Sequence, residues 1–167
     1  MRNAHPRKSL TGRQDVFALG GFVLLCLVVS GLGGLATATG VDDWYRTLVK
    51  SGFNPPDWIF APVWTVLYLM MAVAAWRVWR TAATVQRRRA LAAFGVQLGL
   101  NLLWSILFFG FQQIGLALFE ISLLLSAIAV CVVLFWRVER LAGQLLVPYL
   151  LWVAFAATLN LSLWLLN

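Results

Sequence analysis

The chain has 167 residues, of which 62% are apolar and only 11% charged, and its mean hydropathy is +0.84. Such a composition lies outside the range of water-soluble globular domains and specifies an integral membrane protein. A net charge of +7 would suit nucleic acid, but no soluble unit carries the basic residues, so a nucleic-acid-binding domain is excluded.

Residues 1 to 14 read as a basic tail and 15 to 167 as a membrane domain with apolar spans at about 16–36, 58–80, 90–111, 114–136 and 142–166. At a rise of about 1.5 Å per residue each covers the roughly 30 Å hydrocarbon slab. None alternates strictly between apolar and polar, so the expected fold is an all-α integral membrane bundle of five transmembrane helices and not a β-barrel. The tail and the run ending in Ala36-Thr37-Ala38 have the outline of a signal peptide. The run from Val16 to Ala36 is longer than such a signal needs, which favours a retained first helix.

The basic residues set the orientation. Arg2, Arg7, Lys8, Arg13, Arg77, Arg80, Arg87, Arg88, Arg89, Arg137 and Arg140 fall on one side of the five spans, and only Arg46 and Lys50 on the other. This positive-inside pattern suits a multi-pass protein of a bacterial membrane and, if that is the inner one, puts the N-terminus in the cytoplasm and Asn167 outside.

In the first span, Gly31, Gly33 and Gly34 allow another element close approach. Cys26 and Cys131 both lie inside spans, as small packing residues. The outer loop, 37 to 57, is the one long connection. Asp42 and Asp43 can start a short helix whose Trp44, Tyr45 and Leu48 either face the bilayer surface or cover the bundle. Pro55 and Pro56 hold Asn54 extended and make a stiff strut into the second span, where Asp57 supplies an N-cap and negative charge. Beyond it, Trp64, Tyr68, Met71 and Ala75 share one stripe. Flat aromatic faces under a rigid lid point to a flat, apolar ligand.

The third span carries two faces. Ala92, Gly95 and Gly99 form a smooth ridge, suited either to a dimer seam or to packing within the monomer. Gln97, Asn101, Trp104 and Phe108 lie roughly opposite, and the cost of amides in lipid turns that face inward. Gln112-Gln113 makes a tight turn. In the fourth span Glu120 is the sole acid, within about two turns of the outer interface and so within reach of water. The fifth contains Pro148, expected to bend or loosen its turn, and then Tyr149, Trp152, Ala156 and Asn160 on one arc.

Together, WYRTLVKSGFNPPDWIFAPVWTVLYLMM, Gln97-x-x-x-Asn101-x-x-Trp104-Ser105-x-x-Phe108-Phe109 and Pro148-Tyr149-x-x-Trp152-x-x-Phe155-Ala156-x-x-x-Asn160 closely resemble the TspO/MBR family of tryptophan-rich sensory and translocator proteins. The resemblance covers about residues 20 to 165. It implies a bundle, commonly dimeric, that binds porphyrins such as protoporphyrin IX and haem beneath the first loop, with no required cofactor and no protein metal site. It further implies a pocket lined by Trp44, Phe60, Trp64, Tyr68, Asn101, Trp104, Phe108, Trp152 and Ala156, with Trp64 and Trp152 at the positions linked in some members to light-dependent porphyrin breakdown. The chain departs from the family at Ser51 and Gly52. It also lacks the Tyr and Arg of the proposed cholesterol motif near 161 to 167, which puts sterol recognition in doubt.

Three functions follow from these residues. The first is a tetrapyrrole sensor or transporter that relies on aromatic stacking, its only histidine, His5, lying in the tail. The second is an enzyme that degrades porphyrin with light and oxygen through its tryptophans. The third is a structural or regulatory partner protein whose aromatics are core and belt only.

Overall fold

The computed structural model describes residues 12–41 and 44–167. It contains α1 (Gly12–Val41), α2 (Trp44–Thr47), α3 (Phe60–Trp79) led in by a 3-10 turn at Asp57–Ile59, α4 (Val85–Ser105) running on into a π-turn at Ile106–Gly110, α5 (Ile114–Val138) and α6 (Arg140–Leu166). No strand occurs among the described residues, and five helices are long and apolar enough to cross a membrane. The all-α, five-span fold is as expected. Asp42 and Asp43, and the tail residues up to 11 with Arg2, His5, Arg7 and Lys8, lie outside the described residues.

Neighbouring helices pack in the order α1, α3, α6, α5, α4 and back to α1, closing a ring. One end gathers Arg13, Arg77, Arg80, Arg87, Arg88, Arg89, Arg137 and Arg140 and is called the basic end. The other carries α2 and the strut to α3 and is called the lid end. Polar bonds fasten the basic end. The Asp15 carboxylate accepts a hydrogen bond from Trp76 Nε1 at 3.0 Å and pairs with Arg80 Nε at 3.2 Å, joining α1 to α3. Arg77 grips Glu139 with two bonds of 2.8 and 3.1 Å, and the same carboxylate accepts from the Ala142 amide at 2.7 Å, capping α6. Burial alone would raise the Glu139 carboxyl, but the bonds from Arg77 and the Ala142 amide outweigh it and hold the group below the ordinary carboxylate range.

The basic half is packed solid. Met71, Ala72, Ala74, Ala75, Val78, Ile128, Cys131, Phe135 and Ala142 are wholly buried, and Phe94 meets the Phe135 ring at 5.9 Å. Helices approach so closely here that a Cβ on Gly143 would stand 2.8 Å from the backbone of Trp136. Small residues at such crossings let van der Waals packing hold the bundle where lipid offers no hydrophobic drive.

Two details differ from the sequence-based expectation. Asp57 makes no capping bond: Pro56 occupies the N-cap, and Asp57 sits in the first turn, where the helix dipole still favours its charge. Glu120 does not reach water. It is 3% exposed, on the stripe of α5 that buries Ala117, Ile121 and Leu124, and neither carboxylate oxygen has a protein partner. Pro148 lies inside α6, which runs from Arg140 to Leu166. The turn from α4 to α5 places Gln112 at φ 57°, a left-handed conformation that few non-glycine residues adopt.

Candidate functional site: an aromatic cavity beneath the lid

At the lid end the ring of helices does not fill its centre. A cavity of about 450 Å³ remains there, within the range of small-molecule sites. Phe60, Trp64 and Tyr68 project into it from one stripe of α3, Asn101 and Trp104 from α4, and Trp152 and Ala156 from α6. Seven of the nine residues that the family resemblance implied therefore line one space, and Tyr45 of the lid roofs it.

Trp44 and Phe108 are the two that do not, and Phe109 lines the cavity in place of Phe108. A π-turn explains the exchange. From Ile106 the chain takes more residues per turn, with Phe111 N donating to Ile106 O at 2.9 Å, so the 3.6-residue stripe through Gln97, Asn101 and Trp104 breaks before 108. Phe108 instead stacks behind Trp104 at 5.1 Å, 20° from parallel, and Trp44 meets it edge-on at 5.5 Å. Both residues buttress the wall from behind. Trp44 and Tyr45 thus cover the bundle, one of the two placements the loop sequence allowed.

The inward amides hold the wall rings in place. Tyr68 Oη donates to Asn101 Oδ1, Asn101 Nδ2 donates to Tyr149 Oη at 3.1 Å, and Tyr149 Oη donates to Gln97 Oε1 at 2.9 Å. A second relay runs from Trp104 Nε1 to Asn160 Oδ1 at 3.1 Å and from Asn160 Nδ2 to Ile114 O at 3.0 Å. Buried polar groups in a membrane need such partners, and each relay fixes a ring plane that aliphatic packing would leave free. One donor is left over: Trp152 Nε1 is buried without a protein acceptor. Further ring contacts, Trp64 to Tyr68 at 5.8 Å, Trp64 to Tyr149 at 6.2 Å and Phe60 to Trp152 at 5.8 Å, complete a largely rigid aromatic enclosure.

Sequence reasoning passed over the face contributed by α1. Ser30, Gly33, Gly34, Thr37 and Ala38 recur at i, i+3, i+4, i+7 and i+8 and form a whole cavity wall. The spacing was available as a signal, but small residues give a helix almost no amphipathic contrast. Asp57 is the one charged residue on the lining among the described residues, and no three His, Cys, Asp or Glu side chains among them group closely enough for a metal. The lining can therefore recognise a ligand by shape, stacking and a few hydrogen bonds.

A five-span membrane bundle with an amide-braced, tryptophan-walled cavity under an extramembrane lid is the class of protein that the fold and the cavity define. Comparison with known proteins is specific about which one. The profile of the TspO/MBR family matches residues 22–165, and the chain belongs to that family. It is 43% identical over 144 residues to the tryptophan-rich protein TspO of Chlorobaculum tepidum, covering 86% of this chain and 91% of that one. The tryptophan-rich protein TspO of Archaeoglobus fulgidus is 37% identical over 153 residues, covering 92% and 99%. The translocator protein of Sus scrofa is 37% identical over 143 residues, covering 82% and 85%.

Proposed function

We propose that this protein is a receptor or transporter for porphyrins, protoporphyrin IX and haem among them, held between the helices beneath the lid. The observation that carries this reading is the cavity itself, with flat rings from α3, α4 and α6 arranged around space that no side chain fills. Stacking on Trp64, Trp104 and Trp152 suits a planar macrocycle. Binding uses protein side chains alone, with no further cofactor. The charge asymmetry supports a bacterial membrane orientation with the basic end in the cytoplasm. Two copies pair through α4, where Ala92, Gly95 and Gly99 are exposed and nothing stands within 4 Å of a Cβ built on either glycine.

Titrating the purified protein with protoporphyrin IX and following tryptophan fluorescence tests the reading. Saturable quenching, weakened in Trp64→Phe and Trp152→Phe while thermal stability holds, is expected. No saturation, or quenching indifferent to both variants, contradicts it. The presence of both Trp64 and Trp152 on the wall favours a second reading, in which light and oxygen convert the bound porphyrin. Illumination under oxygen that yields no new absorbing product removes it.

A further inference from the structure

On the side of α1 and α3 the cavity lining includes residues that are themselves exposed. At the basic end α1 is tied to α3 through Asp15, Trp76 and Arg80. At the lid end its attachment changes. A Cβ on Gly40 would stand 2.5 Å from the carbonyl oxygen of Phe109, so the α1 backbone lies directly on the π-turn that extends α4. A helix fastened to α3 at one end and to α4 at the other is free to diverge from α3 along its length. In the wedge this allows, Gly34 and Ala38 of α1 and Ala61 of α3 line the cavity and are also exposed, and a Gly34 Cβ would find nothing within 4 Å. All three belong to segments long and apolar enough to lie in the bilayer.

The top of the cavity is fastened instead. The Asn167 side chain grips Val49 twice, accepting from its N–H at 3.0 Å and donating to its carbonyl at 3.1 Å. Tyr45 Oη donates to Asn54 Oδ1 at 3.3 Å, and Lys50 Nζ sits 4.2 Å above the Tyr45 ring. A route through the lid breaks these contacts. A route through the wedge breaks none, and it passes glycine and alanine, which have no polar side chain to strip of water or rotamer to move.

We propose that the cavity is loaded sideways from the hydrocarbon, through the gap between α1 and α3, by flat apolar molecules already dissolved in the bilayer, while Asn167 latches the lid. The proposal rests on the ligand-binding reading above. An amphiphilic tetrapyrrole would enter by its apolar edge, its carboxylates trailing at the interface and away from Asp57 on the rim.

The test is stopped-flow tryptophan quenching of the full chain in lipid nanodiscs, with protoporphyrin IX as the probe. The wild-type association rate should follow the mole fraction of porphyrin in the bilayer and not its aqueous concentration. Gly34→Leu, and independently Ala38→Leu, should slow association and release together by about tenfold, the effect of roughly 1.4 kcal/mol of added barrier. Asn167→Ala should leave both rates unchanged. Association set by the aqueous concentration, or accelerated by Asn167→Ala and indifferent to both leucine variants, overturns the lateral route and leaves the binding reading standing. Absence of saturable quenching at equilibrium in the wild type overturns the binding reading itself.

Discussion

The two halves of the bundle are built by the same five helices to opposite ends. At the basic end small residues draw the helices together until Gly143 touches the backbone of Trp136 and the core around Phe135 is wholly buried. At the lid end the same helices carry larger rings yet leave about 450 Å³ open. Large side chains therefore do not fill the lid end; they prop it apart. They can do so because Asn101, Asn160 and Gln97 hold Tyr68, Trp104 and Tyr149 at fixed distances and because the solid half anchors the frame.

Truncation separates the halves most sharply. Phe135→Ala in the solid half opens a hole where none existed. Because lipid tails are as apolar as the core, the cavity contribution dominates, and a loss of about 2 kcal/mol in a reversible unfolding assay is expected. Phe60→Ala enlarges space already open and should cost less than about 1 kcal/mol in the same assay while weakening porphyrin binding. Equal losses at the two positions would mean that the lid end is as tightly packed as the basic end.

Removing a brace comes next. Asn101→Ala strands the Tyr68 hydroxyl and removes the bond donated to Tyr149 Oη, and should lower stability by about 1–2 kcal/mol, with a loss of porphyrin affinity that Gln97→Leu, farther from the cavity lining, reproduces only in part. The exposed ridge should respond in the other direction. Gly95→Ala meets no neighbouring atom within a monomer and gains up to about 1 kcal/mol of helix propensity, so the monomer should hold or rise in stability while the dimer fraction seen by crosslinking falls.

The smallest effect belongs to the basic end's ion pair. The Glu139 carboxyl is held below its unfolded value, so its contribution is present above the ordinary carboxylate range and is lost as pH falls through the lowered value. Thermal stability should drop slightly on acidification, by less than about 1 kcal/mol, and Glu139→Gln should remove that part of the pH dependence.

How much of this was legible in the sequence depended on the contrast between neighbouring residues. Five spans stood out because hydropathy reports the slab, but α1 begins at Gly12 and α4 at Val85, a turn or so before the apolar runs, since polar turns of helix project beyond the lipid. The arcs on α3 and α6 could be read from their 3.6-residue spacing, as could the inward direction of Asn101 and Asn160. The α1 wall could not, because Ser30, Gly34 and Ala38 differ too little from the rest of that helix. Nor could the exchange of Phe108 for Phe109, since nothing in the sequence reading marked the π-turn that shifts the register.

Filling the hollow tests the central claim most directly. Ala156 lies on the cavity wall at 9% exposure, so Ala156→Phe puts a ring into the open space without disturbing the packed half. In lipid nanodiscs the variant should keep wild-type helicity and thermal stability but lose saturable quenching by protoporphyrin IX. A folded Ala156→Phe protein that binds the porphyrin as tightly as the wild type would contradict the assignment of this cavity as the ligand site.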